Sequence, residues 1–156
     1  MERVIDANLN RMGEGIRLLE DVARFKLGDE TSFQELRQLR LELLEIPVPY
    51  RLKLLSARDV SGDIGADLEG EGDRMRSDMQ GLISANACRV EQALRVLEEA
   101  ARLPEYRFLD YKRFKKARFS LYSLEKKLLS HLMHKDENAG EATGRLMTKI
   151  NKTPHD

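Results

Sequence analysis

At 156 residues the chain has the size of one ordinary domain, long enough to bury a core of its own. Lys+Arg and Asp+Glu number 27 each, so the net charge is zero and no bulk field draws in nucleic acid or an anionic membrane. No apolar run approaches a membrane span, and a single cysteine, Cys88, excludes an internal disulfide and fits a reducing cytosol. The opening MERVIDANL has no signal-like apolar segment, so a cytoplasmic location is expected.

In chain order, the first element is an amphipathic helix predicted over residues 2–26. At about 100° per residue, Val4, Ile5, Leu9, Met12, Ile16, Leu19, Val22 and Ala23 fill one broad arc, with Arg17, Asp21 and Arg24 opposite. Asn8 and Arg11 lie inside that arc. Asn is a poor mid-helix residue, and a buried guanidinium is costly unless paired. Gly15 beside them permits a close approach. The pattern admits two readings: an internal polar network fixing a helix crossing, or a set of groups turned toward an anionic ligand. Gly28 suits a helix C-terminus. A second helix over 32–46 follows, capped by Thr31 or Ser32, with Glu35 completing a capping box, and ends at Pro47 and Pro49.

The segment 47–76 has no helical period through most of its length. Residues 50–55 suit a short helix or strand. A Gly- and Asp-rich loop follows, with Arg58, Asp59, Gly62, Asp63 and Gly65. It lacks the Gly-Lys-Ser/Thr ending of a P-loop and the spacing of an EF-hand. Arg58, Asp59 and Asp63 have the chemistry to hold a phosphate and a hard divalent cation.

The third helix, predicted over 77–103 with a Ser77–Gln80 capping box, repeats the first. Residues 6–25 (DANLNRMGEGIRLLEDVARF) overlay 84–103 (SANACRVEQALRVLEEAARL) without a gap at a constant offset of 78 residues. Asn8/Asn86, Arg11/Arg89, Arg17/Arg95 and Glu20/Glu98 are identical, and Gly15 corresponds to Ala93. The offset continues through Leu36/Phe114, Arg40/Arg118 and Leu43/Leu121, so the duplicated unit is a helix pair, 4–45 and 82–123. The triplets Arg17–Glu20–Arg24 and Arg95–Glu98–Arg102 are spaced as surface ion pairs. Cys88 among apolar neighbours reads as inert packing. The last helix is predicted over 107–133, with a basic outer face. His131 and His134 have ligand-like spacing without partners, and 136–156 is expected to be a polar, flexible tail beyond one helical domain of 1–135.

Three blocks in this order, IDANLNR…G.RLLED.ARF, LLSARDVSGDIG and ISANACR.EQALRVLEE, resemble the small helical hydroxymethylpyrimidine-phosphate kinases of thiamin biosynthesis, found alone or fused ahead of thiamin-phosphate synthase. The resemblance covers about residues 3–127. It implies an all-α duplicated bundle and ATP- and Mg²⁺-dependent conversion of 4-amino-5-hydroxymethyl-2-methylpyrimidine phosphate to its diphosphate. The family pattern falls on Asn8, Arg11, Arg17, Glu20, Arg58, Asp59, Asp63, Gly65, Asn86, Arg89, Arg95 and Glu98. Arg11, Arg58 and Arg89 are then expected to bind phosphates, with Arg58, Asp59, Asp63 and Arg89 as the catalytic set. Asp59 and Asp63 would hold Mg²⁺. Asn8 and Asn86 would orient substrate together with Arg17 and Arg95, and Glu20 or Glu98 would accept from the pyrimidine amine or else pair only with the flanking arginines. Asn8, Arg11, Asn86 and Arg89 are expected to converge with Arg58, Asp59 and Asp63 in one polar pocket between the repeats. The expected partners are the pyrimidine phosphate and a nucleotide, with a homo-oligomer left open. Two other readings compete: a non-catalytic phosphate-ligand module docking on thiamin-phosphate synthase, and a structural adaptor.

Overall fold

The computed structural model describes residues 1–59, 61–64 and 75–150, with side chains through Ala139. The described residues form helices without a strand. The central pair is α1 (Glu2–Asp21) and α4 (Met79–Ala100); α2 (Glu30–Leu43) flanks α1 and α5 (Tyr111–Ile150) flanks α4. A short α3 (Val48–Ser56) lies against the start of α1. The duplication is visible in the core. Ile5, Leu9, Met12, Ile16 and Leu19 on α1 are buried, and so are Ile83, Ala87, Val90, Leu94 and Leu97 on α4, each 78 residues later. Leu36 and Leu43 of α2 correspond in the same way to Phe114 and Leu121 of α5. Each large side chain so buried contributes about 1.5–3 kcal/mol, so the matched stripes account for the bundle.

Several boundaries differ from those read in sequence. The first helix widens after Asp21 and continues as a π-helical turn, Val22–Leu27, closed by Gly28 at φ 67. Only a residue without Cβ enters that left-handed region cheaply. The N-caps are aspartates, not the neighbouring hydroxyls: Asp29 accepts from the Ser32 N–H at 3.0 Å and Asp78 from the Gly81 N–H at 2.7 Å. A carboxylate also suits the positive end of the helix dipole. Pro47 and Pro49 end α2 but also start α3, since proline fits the first helical turn. Pro104 begins a 3-10 segment, Pro104–Leu109, and α5 starts only after Asp110 at φ 48.

At its far end α5 runs on to Ile150, beyond the predicted limit of 133. No proline interrupts it, and Lys135, Glu137 and Ala139 favour helix. Among the side chains described, its last buried residue is nonetheless Leu132.

α3 is fastened to α1 and to the 3-10 segment. Lys53 Nζ lies 2.9 Å from Glu2, Tyr50 stacks on Phe108 with centroids 3.7 Å apart, and Leu54 is buried. This anchors the root of the Gly/Asp-rich loop at the first turn of α1.

Candidate functional site

Asn8 and Asn86 are buried polar residues in the middle of helices, 6% and 8% exposed. Each resolves half of its problem locally. Asn8 Nδ2 donates to the Val4 carbonyl and Asn86 Nδ2 to the Leu82 carbonyl, both at 2.8 Å. The i−4 bond satisfies one donor within the helix, leaving Oδ1 of each amide to face a cleft. That cleft lies between α1 and α4, encloses about 650 Å³, and is lined by Asn8, Arg11, Glu14, Gly15 and Leu18 from α1 and Asn86, Arg89, Gln92, Ala93 and Val96 from α4. Every wall residue on one helix has its 78-residue counterpart on the other, so the cleft sits on the approximate twofold of the duplication. The helices approach closely where Gly15 packs: a Cβ there would lie 2.5 Å from Val90 Cγ2.

The arginines are arranged differently from the sequence expectation. Arg11 and Arg89 are exposed at the cleft and not buried in the helix crossing. Their positions fall at the edge of the apolar stripe, and a long side chain reaches solvent from there. Two guanidiniums over two buried amides in a volume of small-ligand size form a site for an anionic molecule with hydrogen-bonding edges.

Glu20 and Glu98 do not line the cleft. They are 0% and 1% exposed and sealed into ion pairs. Glu20 is held by Arg40 of α2, whose Nε and Nη2 both donate to it, and by Arg17 at 3.5 Å. Glu98 takes Arg95 at 3.0 Å, Arg102 at 3.0 Å and Arg118 of α5 at 3.3 Å. Burial works upward on Glu98, but the bonds from Arg118 and Arg102 outweigh it and hold its carboxyl below the ordinary glutamate value. Arg24 takes no part and lies over Phe25 and Phe33. Arg17 and Arg95 run along the surface to Asp21 and Glu99 as well. These four residues therefore tie each outer helix to its inner one, and the cleft lacks them.

Among the described residues, Arg58, Asp59 and Asp63 are also not brought to the cleft. Arg58 makes a two-pronged pair with Asp6, at 2.5 and 3.0 Å, on the first turns of α1. The Asp59 carbonyl accepts from Arg3 at 2.8 Å, and its carboxylate closes a turn by accepting from the Gly62 N–H at 2.9 Å and the Ser61 hydroxyl at 3.1 Å. Those two bonds hold its carboxyl below the usual aspartate range. Asp63 is exposed, and Gly65 lies outside the described residues. No group of three or more His, Cys, Asp or Glu among the described residues could hold a metal ion. The described carboxylates therefore do not fit a protein-built Mg²⁺ cage.

His131 lies 2.8 Å from Asp29 and His134 3.6 Å from Glu137. Cys88 is exposed, not packed, and accepts from Gln92 at 3.4 Å. Glu14 was missed in the sequence because a glutamate among helical charges looks like a solvated face. The signal that finds it is its position one turn beyond Asn8 and Arg11, with Gln92 as counterpart.

Fold and cleft together define an all-α, internally duplicated domain with a cleft between the repeats lined by two asparagines and two arginines. Residues 3–127 match the ThiD2 family, and the chain belongs to it. It is 41% identical over 132 residues to the thiamine-phosphate synthase of Nostoc sp. (strain PCC 7120 / SAG 25.82 / UTEX 2576), covering 85% of this chain and 36% of that protein. Over 128 residues it is 40% identical to the Synechocystis sp. protein of the same name, covering 81% of this chain and 36% of that one. With the thiamine-phosphate synthase of Rhodopirellula baltica it shares 37% over 107 residues, 68% of this chain and 28% of the relative. The chain thus spans about a third of the length of these curated relatives. No solved structure matches the chain. No helix among the described residues is long and apolar enough to cross a membrane.

Proposed function

We propose that the domain converts 4-amino-5-hydroxymethyl-2-methylpyrimidine phosphate to its diphosphate with ATP, within thiamin biosynthesis. The observation that carries this reading is the pairing of Arg11 and Arg89 over Asn8 and Asn86 in one cleft. Family membership and the names of the relatives supply the pathway. The acceptor is a phosphate oxygen already anionic at neutral pH, so the reaction needs position and charge neutralisation more than a strong base. Arg11 and Arg89 supply two cationic clamps. The Asn8 and Asn86 carbonyls, fixed by their i−4 bonds, orient ring and ribose donors. Mg²⁺ would enter with the nucleotide, held by its phosphates and water.

The test is the purified chain with ATP, Mg²⁺ and the pyrimidine monophosphate, assayed for diphosphate. Arg89→Met should lower the rate by roughly 10²-fold or more with the melting temperature unchanged. A second reading, a non-catalytic phosphate-ligand module associated with thiamin-phosphate synthase, is favoured by the engagement of Arg58 and Asp59 with α1. Tight binding of the monophosphate without turnover would establish that second reading instead.

A further inference from the structure

Four of the five residue pairs across the cleft agree in charge and bonding type; Glu14 and Gln92 do not. Glu14 is exposed to the cleft and makes no ion pair among the described residues, although Arg11 stands one turn away. A carboxylate inside an anion site repels the phosphate it borders, so its place is tolerable only where the ligand presents a hydrogen-bond donor. The carboxylates that sequence assigned to the pyrimidine amine, Glu20 and Glu98, are sealed in ion pairs with Arg40 and Arg118. Among the described residues, Glu14 is the acid that remains in the cleft wall.

We infer that Glu14 is the specificity-determining residue of the cleft: its carboxylate accepts an N–H from the amino-substituted ring and so directs the ligand's phosphate to Arg89 on the α4 half. This rests on the pyrimidine-phosphate reading above. Symmetric arginines alone would accept the ligand in either of two orientations. One carboxylate breaks that degeneracy, because one half now favours a donor and the other an anion. A 4-oxo ring places an acceptor where the amine places a donor, and two acceptors facing each other in a partly desolvated site are both left unpaired.

The experiment is calorimetric titration of the full chain with the 4-amino pyrimidine monophosphate and with its 4-oxo analogue. Wild type should bind the amino compound at least about 30-fold more tightly. Glu14→Gln should bring the two affinities within about threefold, since an amide can present a donor or an acceptor. Gln92→Glu should weaken both ligands and keep their ratio, because it sets a charge beside the phosphate. If wild type discriminates and Glu14→Gln still does, the Glu14 assignment is overturned and the pyrimidine-phosphate reading stands. If Gln92→Glu erases the ratio while Glu14→Gln keeps it, the polarity is the reverse of that inferred. If wild type binds neither compound, both readings fall together.

Discussion

The two buried carboxylates are quasi-equivalent but not equally supported, and that difference makes a quantitative prediction. Glu20 relies on Arg40, which is 18% exposed, plus Arg17 at 3.5 Å, which is 55% exposed. Glu98 has three guanidiniums, Arg95, Arg102 and Arg118, at 3.0, 3.0 and 3.3 Å. Arg40→Met leaves a fully buried charge with one distant, solvated partner, a loss of about 3–4 kcal/mol. Arg118→Met leaves Glu98 two good partners, so the loss should be nearer one charged hydrogen bond, about 1.5–2 kcal/mol. At about 3 °C per kcal/mol for a chain of this size, Arg40→Met should melt about 10 °C lower and Arg118→Met about 5 °C lower. Thermal unfolding by circular dichroism reads both. Adding Glu20→Leu to Arg40→Met should recover most of the loss, because a packed apolar pair often matches a buried ion pair. An Arg40→Met protein melting within about 2 °C of wild type, or a double variant no better than the single, would refute the reasoning.

Two other outcomes follow from particular contacts. Truncation after Asp136 should leave the melting temperature and the activity largely unchanged, because the last buried residue among the described side chains is Leu132 and Lys135, which donates to the Lys26 carbonyl at 2.8 Å, is retained; loss of cooperative unfolding would refute it. The Lys53 ammonium, with further hydrogen bonds, holds the Glu2 carboxyl down from 4.5 to about 2. A depressed acid stabilises above its unfolded value and loses that contribution as pH falls through the folded one. The docking of α3 should therefore be unaffected above about pH 5 and weaken between about 4.5 and 2, read from the ring-proton shifts of Tyr50 and Phe108. Glu2→Gln should weaken docking at neutral pH and flatten this response.

What was legible in the sequence was whatever a constant offset and a helical period can encode. Ile5/Ile83, Met12/Val90, Ile16/Leu94 and Leu36/Phe114 are all buried, and the Asn8/Asn86 stripe faces one cleft. Period tells which face of a helix a residue occupies, but not which neighbour closes over that face. That is why Glu20 and Glu98 were given to a ligand: the arginines that seal them, Arg40 and Arg118, come from other helices 20 residues away. The same limit left Arg11 and Arg89 between two readings, core network and ligand contact, because period does not tell whether the facing helix covers a position at the edge of the stripe. Arg58 and Asp59 were assigned to the site by chemistry alone, and their partners Asp6 and Arg3 lie more than 50 residues earlier. The cap at Asp78 was displaced by one residue because Ser77 and Asp78 both have capping side chains. Ser77 instead donates to Asp78 at 3.0 Å and orients it.

The duplication also offers an internal control on where function resides. A second groove lies between α2 and α5, and five pairs of its lining residues are again 78-residue counterparts. There the copies have diverged in charge: Glu35 stands against Arg113, Gln34 against Lys112 and Gln38 against Lys116. Arg113 has become a helix cap, donating to the Leu43 and Glu45 carbonyls at the end of α2, a task the equivalent glutamate could not perform. In the α1–α4 cleft the Asn8/Asn86 and Arg11/Arg89 pairs have stayed identical and Glu14/Gln92 is the polar pair that differs, although Asn8 and Asn86 are costly in helix interiors and Arg11 and Arg89 contribute little to packing. Stability alone gives no reason to keep two unfavourable amides and two exposed guanidiniums matched across an axis while the other face changes sign. A ligand that uses both halves at once does. On that argument, exchanging either Asn8 or Asn86 for leucine should raise the melting temperature or leave it unchanged while weakening monophosphate binding by about tenfold or more. A leucine variant that binds as tightly as wild type would return the cleft to the status of a packing defect.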